Sequence, residues 1–171
     1  NRDMRSATGY WIISCNRGSA KACARSATIL REGLGGFAKP ARASEFAAKG
    51  CQLSKDGNAC ASLAVALYRG DGMAQNKAQA MQLWRDSCAQ GTDDGCRLQA
   101  GALYNESSAA SDYQTAVALF NKSCVKNTAW GCGGLAEAYA TGKGVAKNPR
   151  KSAEYARRGC FAGAGDTVAA C

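Results

Sequence analysis

The spacing of the cysteines constrains this chain more than any other feature. Cys15, Cys23, Cys51, Cys60, Cys88, Cys96, Cys124, Cys132, Cys160 and Cys171 form five couples in 171 residues. The leading members advance by 36, 37, 36 and 36 residues, and the separations within couples are 8, 9, 8, 8 and 11. A fixed period in the thirties marks an array of helical hairpins, since one hairpin cannot bury its apolar face alone and a stack can. Ten cysteines also need a chemical reason. The chain has no His, no C-x-x-C and no pair of closely spaced couples, so metal ligation is a poor explanation. Disulfides formed in an oxidising compartment are the better one.

The segments between couples carry helical patterns. Eight residues before each leading cysteine is a small side chain: Ala7, Ala43, Ala80, Ala116 and Ser152. Four or five residues before it is an aromatic: Trp11, Phe46, Trp84, Phe120 and Tyr155. At that spacing they share a helix face, the small residue admitting a neighbouring helix and the aromatic filling the gap. These are the second helices of the hairpins. The first helices are expected to open at the trailing cysteines, with apolar stripes such as Leu63, Ala64, Leu67 and Leu135, Ala136, Tyr139. Ala27 with Leu30, and Ala100 with Leu103, continue that stripe.

Gly70-Asp71-Gly72-Met73 and Gly142-Lys143-Gly144-Val145 share one turn pattern, and residues 33–37 hold a version one residue longer. Glycine supplies the left-handed conformation that ends a helix. Asn76 and Asn148 then read as N-caps of the second helices. Asn105-Glu106-Ser107-Ser108 breaks the pattern, with Asp112 the expected cap and an irregular turn before it.

Leu67-Tyr68-x-Gly70-x-Gly72-Met73, followed by Ala80, Trp84, Cys88 and Gly91, resembles the Sel-one-like repeat, a relative of the tetratricopeptide repeat. Residues 135–163 match nearly as well, and the resemblance covers essentially the whole chain. It implies an all-α, right-handed α/α solenoid of about four hairpins with a disulfide at each repeat junction. The array would run over 1–171 as a single unit: a half-repeat at 1–15, hairpins at 23–51, 60–88, 96–124 and 132–160, and a stub at 161–171. The cysteines resemble those of the family's cysteine-rich, disulfide-bridged branch, whose couples lie across hairpin junctions. On that resemblance the pairing is expected to be local: Cys15–Cys23, Cys51–Cys60, Cys88–Cys96, Cys124–Cys132 and Cys160–Cys171. Sequence alone does not determine connectivity, but the repeat makes any scheme repetitive, and the local one needs no crossing.

Catalytic patterns fare badly. Without His, acid–base and triad arrangements lose their most common member. Ser123-x-x-Lys126 spells the S-x-x-K of penicillin-recognising enzymes, an activity suggested within the cysteine-rich branch. Here it falls at the end of a second helix, with no S-D-N or K-T-G element beside it. The Gly-x-Gly turns lack a preceding strand and a G-K-[ST] ending, so they do not read as phosphate loops. Asp93-Asp94 reads as a solvated turn. No catalytic residue, metal or cofactor is expected, and the chain is read as a non-enzyme.

Twenty-two basic against thirteen acidic side chains leave a net charge of +9, which favours an acidic partner. The basic residues are spread over the repeats and the aromatics hold core positions, which argues against nucleic acid. Lys151, Arg157 and Arg158 form the densest basic cluster and read as a solvated helix face. No run of eighteen apolar residues occurs, so no transmembrane span is expected. The first residue is Asn1 and no signal peptide is visible, so the chain reads as a processed or trimmed product.

In related solenoids the first helices line the inner surface. Arg25, Thr28, Arg31, Val65, Tyr68, Arg69, Tyr104 and Glu137 lie on those helices away from the core stripe and are the expected partner-binding residues. A core role stays open for Tyr68 and Tyr104. Trp130, placed in the short loop between Cys124 and Cys132, is either a further anchor or packs on its own disulfide. The resemblance implies a protein-binding adaptor: in first place a periplasmic immunity protein neutralising a type VI secretion effector such as a phospholipase. The alternatives are a secreted or envelope scaffold and, last, a penicillin-recognising enzyme. The sequence leaves the oligomeric state open.

Overall fold

The computed structural model describes residues 2–164 apart from 35, 55, 56 and 127. Among the described residues are nine α-helices and no strand. They are α1 (Arg2–Asn16), α2 (Ala20–Glu32), α3 (Pro40–Ser54), α4 (Gly57–Arg69), α5 (Lys77–Ala89), α6 (Asp93–Glu106), α7 (Ala110–Val125), α8 (Ala129–Thr141) and α9 (Pro149–Ala164). The helix content and the hairpin order agree with the reading of the repeat. The chain divides into two compact units, residues 1–96 and 97–171. In the first, α2 packs on α1, α3 and α4, and α4 packs on α3 and α5. In the second, α8 packs on α7 and α9.

The small-and-aromatic pattern does what its spacing implies. Ala43, Ala80 and Ala116 are buried, and Phe46, Trp84 and Phe120 fill the space beside them. In the first unit Phe46 joins Ala27 and Leu30 of α2 around the Cys15–Cys23 bridge, with Trp11 packed against the cluster. In the second, Phe120 joins Ala100, Tyr104, Leu135 and Ala138 around Cys124–Cys132. The Trp84 indole N–H donates to the Ala61 carbonyl at 3.2 Å, so its one polar atom is satisfied inside the core. Ser152 stands where the other repeats have Ala, and its hydroxyl donates to the Ala136 carbonyl at 2.8 Å.

The glycine turns are as expected, and the second glycine has a further role. Gly70 and Gly142 close α4 and α8 with φ +76° and +83°. Gly72 and Gly144 also have positive φ, and both lie on a neighbouring helix start. A Cβ at Gly72 would stand 2.3 Å from the Ala41 Cα of α3, and one at Gly144 would stand 2.6 Å from the Tyr113 carbonyl oxygen of α7. The turn of one hairpin thus seats on the second helix of the hairpin before it. Asn76 accepts from the Gln79 N–H and Asn148 from the Lys151 N–H, each at 3.0 Å, as N-caps do.

Two expectations need correction. The first helices start three residues before the trailing cysteines, at Ala20, Gly57, Asp93 and Ala129, so each bridge attaches one turn inside the helix. Also, α7 starts at Ala110, ahead of Asp112. Ser107 organises that turn instead. Its hydroxyl donates to the Asp112 carboxylate and accepts from the Ala109 N–H at 3.1 Å, and the Tyr113 hydroxyl donates to its carbonyl at 2.7 Å. Asp112 sits in the first helical turn, where the helix dipole favours a carboxylate.

Four disulfides stand at helix junctions: Cys15–Cys23, Cys51–Cys60, Cys88–Cys96 and Cys124–Cys132, with Cα separations of 4.5–4.6 Å. The expected Cys160–Cys171 pair involves Cys171, which lies outside the described residues. So short a Cα distance forces the neighbouring backbones together. The residues just before the two cysteines of each couple are accordingly small: Ser14 and Ala22, Gly50 and Ala59, Ser87 and Gly95, Ser123 and Gly131. A Cβ on Gly131 would lie 2.6 Å from the Cys124 nitrogen and the Ser123 Cβ, and one on Gly95 would lie 2.6 Å from the Ser87 Cβ. Gly133, two residues further along α8, has nothing within 4 Å of its would-be Cβ. Gly131→Ala should therefore destabilise by about 1–3 kcal/mol through overpacking. Gly133→Ala should be neutral or stabilise by up to about 1 kcal/mol through helix propensity. Denaturant midpoints of the two oxidised variants check this, and equal shifts would contradict the close-approach account.

Candidate protein-interaction surface

The positions read as partner-binding separate into three groups once their burial is known. Arg25, Arg69 and Glu137 are exposed. Thr28, Arg31, Tyr68 and Trp130 are half-buried. Val65 and Tyr104 lie in the core at 8% and 2% exposure and offer no surface. Their helices are amphipathic with a wide apolar stripe, so a position one step off the periodic line is still covered.

In the first unit, α2 and α4 touch directly, which brings Arg25, Thr28 and Arg31 onto the helix beside Tyr68 and Arg69. The Thr28 hydroxyl donates to its own helix at the Ala24 carbonyl, 3.2 Å away. Arg31 approaches Glu32 at 3.8 Å and lines a small cavity between the helices with Ser44, Ser62 and Asp71. Arg25 and Arg69 remain the exposed cations of this layer. Tyr68 leans on Trp84 with ring centroids 4.8 Å apart, and the Lys77 ammonium lies 4.9 Å from its ring centre. It is part core and part rim.

In the second unit the aromatics form a connected set. Tyr104 meets Tyr113 and Phe120 edge to face at 5.8 and 5.5 Å, and Phe120 meets Trp130 at 6.0 Å. Trp130 therefore lies in the first turn of α8, not in a loop, and packs on Phe120 while keeping part of its surface. The Lys143 ammonium lies 5.3 Å from the centres of both Tyr104 and Tyr113. Lys151 stands 5.2 Å from Tyr139, which stacks on Tyr155 at 5.6 Å. These lysine–tyrosine pairs are a surface feature that the sequence did not reveal. Lys77 follows Tyr68 by nine residues and Lys151 follows Tyr139 by twelve, so no common spacing exposes them. The Lys77 and Lys151 pairs close across the turn of their own hairpin, the Lys143 pairs join two hairpins, and attraction to the ring face helps hold each cation at the surface.

Tyr104 shows how closely the surface residues depend on the core. Its hydroxyl bonds Thr141 Oγ1 at 2.9 Å, and Thr141 donates in turn to the Glu137 carbonyl at 2.9 Å. Burial raises the Tyr104 pKa above the ordinary phenol value; the Thr141 bond pulls it back, and Glu137 and Tyr113 add to the rise. A group whose folded pKa is raised contributes its full stability below the unfolded pKa, near 10, and loses it as pH rises through the folded value. Tyr104→Phe should cost about 1 kcal/mol at neutral pH through the lost hydrogen bond. Above pH ~10 that deficit should shrink, which denaturant unfolding at pH 7 and at alkaline pH would show; a constant deficit would be the contrary result.

Ser123 is 4% exposed, and its hydroxyl lies against Thr128 Oγ1. Thr128 also reaches the Ser123 carbonyl at 3.0 Å. The pair closes the α7–α8 junction, which accounts for the serine without an acyl-transfer role. Intact-protein mass spectrometry after incubation with benzylpenicillin should show no adduct on Ser123, whereas a stoichiometric adduct would restore the enzyme reading. Among the described residues no group of three or more metal-ligating side chains converges, and no helix is long and apolar enough to cross a membrane. Four bridges suit the chain to an oxidising, extracytoplasmic environment.

No protein-family model and no curated protein matches the sequence. Solved structures do. A Sel1 repeat protein from Oxalobacter formigenes superposes with a TM-score of 0.72 at 22% identity, covering 98% of this chain and 47% of that one. A protective antigen of uropathogenic Escherichia coli with an SLR fold gives 0.58 at 17% identity, covering 93% and 42%. This chain therefore spans less than half the length of either. At these identities the likeness is one of architecture, and the architecture of this chain is that of the Sel1 repeat proteins.

Proposed function

We propose that this chain is a non-catalytic protein-binding scaffold of an oxidising compartment, and within that class a periplasmic immunity protein. It would bind and neutralise a secreted effector, for instance a type VI phospholipase. The observation that carries the scaffold reading is the bridge at each of four helix junctions. A surface locked before binding loses little conformational entropy on binding, which favours tight inhibition. The exposed cations Arg25 and Arg69, with the half-buried Tyr68 beside Arg69 on α4, are of the residue types that anchor protein interfaces. The partner face that fits them is acidic. The immunity role rests on the resemblance of the repeat to small exported proteins of that kind.

A second reading is an envelope or secreted scaffold, and it is favoured by the fold neighbour from uropathogenic Escherichia coli, which is a protective antigen. Affinity capture on the oxidised protein from the native envelope fraction separates the two. The immunity reading expects one stoichiometric partner that survives high salt and proves to be a toxin whose activity the protein abolishes. Arg25→Ala with Arg69→Ala should weaken that complex at least tenfold, about 1.4 kcal/mol. Heterogeneous, salt-sensitive capture without toxin inhibition would overturn it in favour of the envelope scaffold.

A further inference from the structure

The basic cluster that the sequence placed on a solvated helix face is more specific than that description. Arg150, Glu154, Arg157, Arg158 and Phe161 line one groove on α9. Their spacing of four, three, one and three residues puts them on one side of the helix. The repeat provides an internal control for this face. The corresponding residues of α7 are Gln114, Ala118, Asn121, Lys122 and Val125, and all five are exposed. Those of α5 are Ala78, Gln82, Arg85, Asp86 and Ala89, again all exposed. On α5 and α7 this face is left to solvent, and only its first residue, at the position of Gln114, meets the glycine turn of a following hairpin.

Its chemistry on α9 differs from that on the other helices. In α5 the single arginine is absorbed into its own helix: Arg85 donates to Gln82 at 3.2 Å, and Gln82 donates to Asp86 at 2.9 Å. On α9 three arginines share the groove with one carboxylate. Among the described residues, Arg150, Arg157 and Glu154 make no hydrogen bond or ion pair, so Glu154 neutralises none of its neighbours within 4 Å. Arg158 alone is held, with its guanidinium 3.5 Å from the Cys124 carbonyl and 5.5 Å from the centre of Tyr155. Phe161 closes the groove at 49% exposure.

We propose that this α9 groove is a docking site for an acidic polypeptide segment that ends in an apolar side chain. A planar guanidinium with five donors matches a carboxylate in a bidentate arrangement, and two such groups stand here without a partner. The apolar ring at one end supplies the anchor that a purely ionic site lacks. From Arg150 to Phe161 the groove runs roughly 16 Å at 1.5 Å per residue. An extended segment of about five residues spans that length. The segment therefore carries at least two carboxylates before its apolar residue. Glu154, in the middle of the track, opposes a carboxylate and a phosphate alike; a peptide is favoured over a nucleic-acid strand because only one aromatic ring borders the groove, whereas a strand needs a ring for each successive base. The inference rests on the protein-binding reading above and adds to it a second surface, remote in sequence from Arg25 and Arg69.

The test is selection of a displayed random octapeptide library on the oxidised protein, followed by affinity measurement with the selected peptides. The expected consensus holds two or more Asp or Glu and one apolar residue at constant spacing. Arg150→Ala with Arg157→Ala should weaken those peptides at least tenfold while leaving circular dichroism and thermal midpoint unchanged. Glu154→Gln should tighten them several-fold, a gain that misfolding cannot mimic. A consensus without acidic residues, equal binding to the double variant, or tighter binding of single-stranded DNA or anionic phospholipid vesicles at physiological salt would overturn the proposal. If a captured envelope partner binds the double variant undiminished, the groove fails while the protein-binding reading stands.

Discussion

Everything in this fold depends on how closely two helix ends can approach at a repeat junction. A Cα separation of 4.5–4.6 Å between bridged cysteines leaves no room for side chains on the residues beside them. The chain answers with a Ser, Ala or Gly before each of these eight cysteines. Each bridge then closes a loop of eight or nine residues, worth about 2–3 kcal/mol in the chain-entropy picture. That contribution matters because the cores are thin. Each buries a few alanines, one or two large aromatics and one leucine, and the cysteines themselves are core residues. The bridges and the small residues are one device: the covalent link needs the close approach, and the close approach needs the missing side chains.

The same economy decides where the positive charge can go. With few carboxylates to meet its cations, the chain lays Lys77, Lys143 and Lys151 over tyrosine rings that are themselves partly core. The tyrosines therefore do two things, packing against the core and holding a cation over a ring face. Tyr104 goes furthest, being buried, hydrogen-bonded and capped by Lys143. A surface of this kind is rigid, cationic and poor in reactive groups. Its most suggestive serine, Ser123, is spent on closing a turn against Thr128. Under the reading proposed above such a surface serves binding, and its charge favours an acidic partner.

The architecture was legible because cysteine period, glycine turns and small-aromatic spacing are local signals that repeat, and each copy corroborates the others. The helical hairpins and the asparagine caps follow from them, and the family resemblance added the local bridges, four of which the structure shows. The third turn was less legible: it lacks the glycines, and the Ser107 network that replaces them joins residues whose roles depend on their final geometry. The partner-binding positions were legible only in part. Arg25, Arg69 and Glu137 are exposed, whereas Val65 is covered and Tyr104 took the core role that its sequence had left open.

Sequence alone determined the period and the helical hairpins, since both arise from spacing within one repeat; the local pairing came from the family resemblance, and the structure shows it at four junctions. Only tertiary structure decided which tyrosine faces inward, which lysine lies over which ring, and which arginines of α9 keep their guanidiniums unpaired. The reason is physical. A helical period tells which residues share a face, but the width of the buried stripe is set by the helix packed against it. That neighbour is a different helix, in most cases the next or the previous one, and across a junction its approach is governed by the smallness of side chains at the bridge.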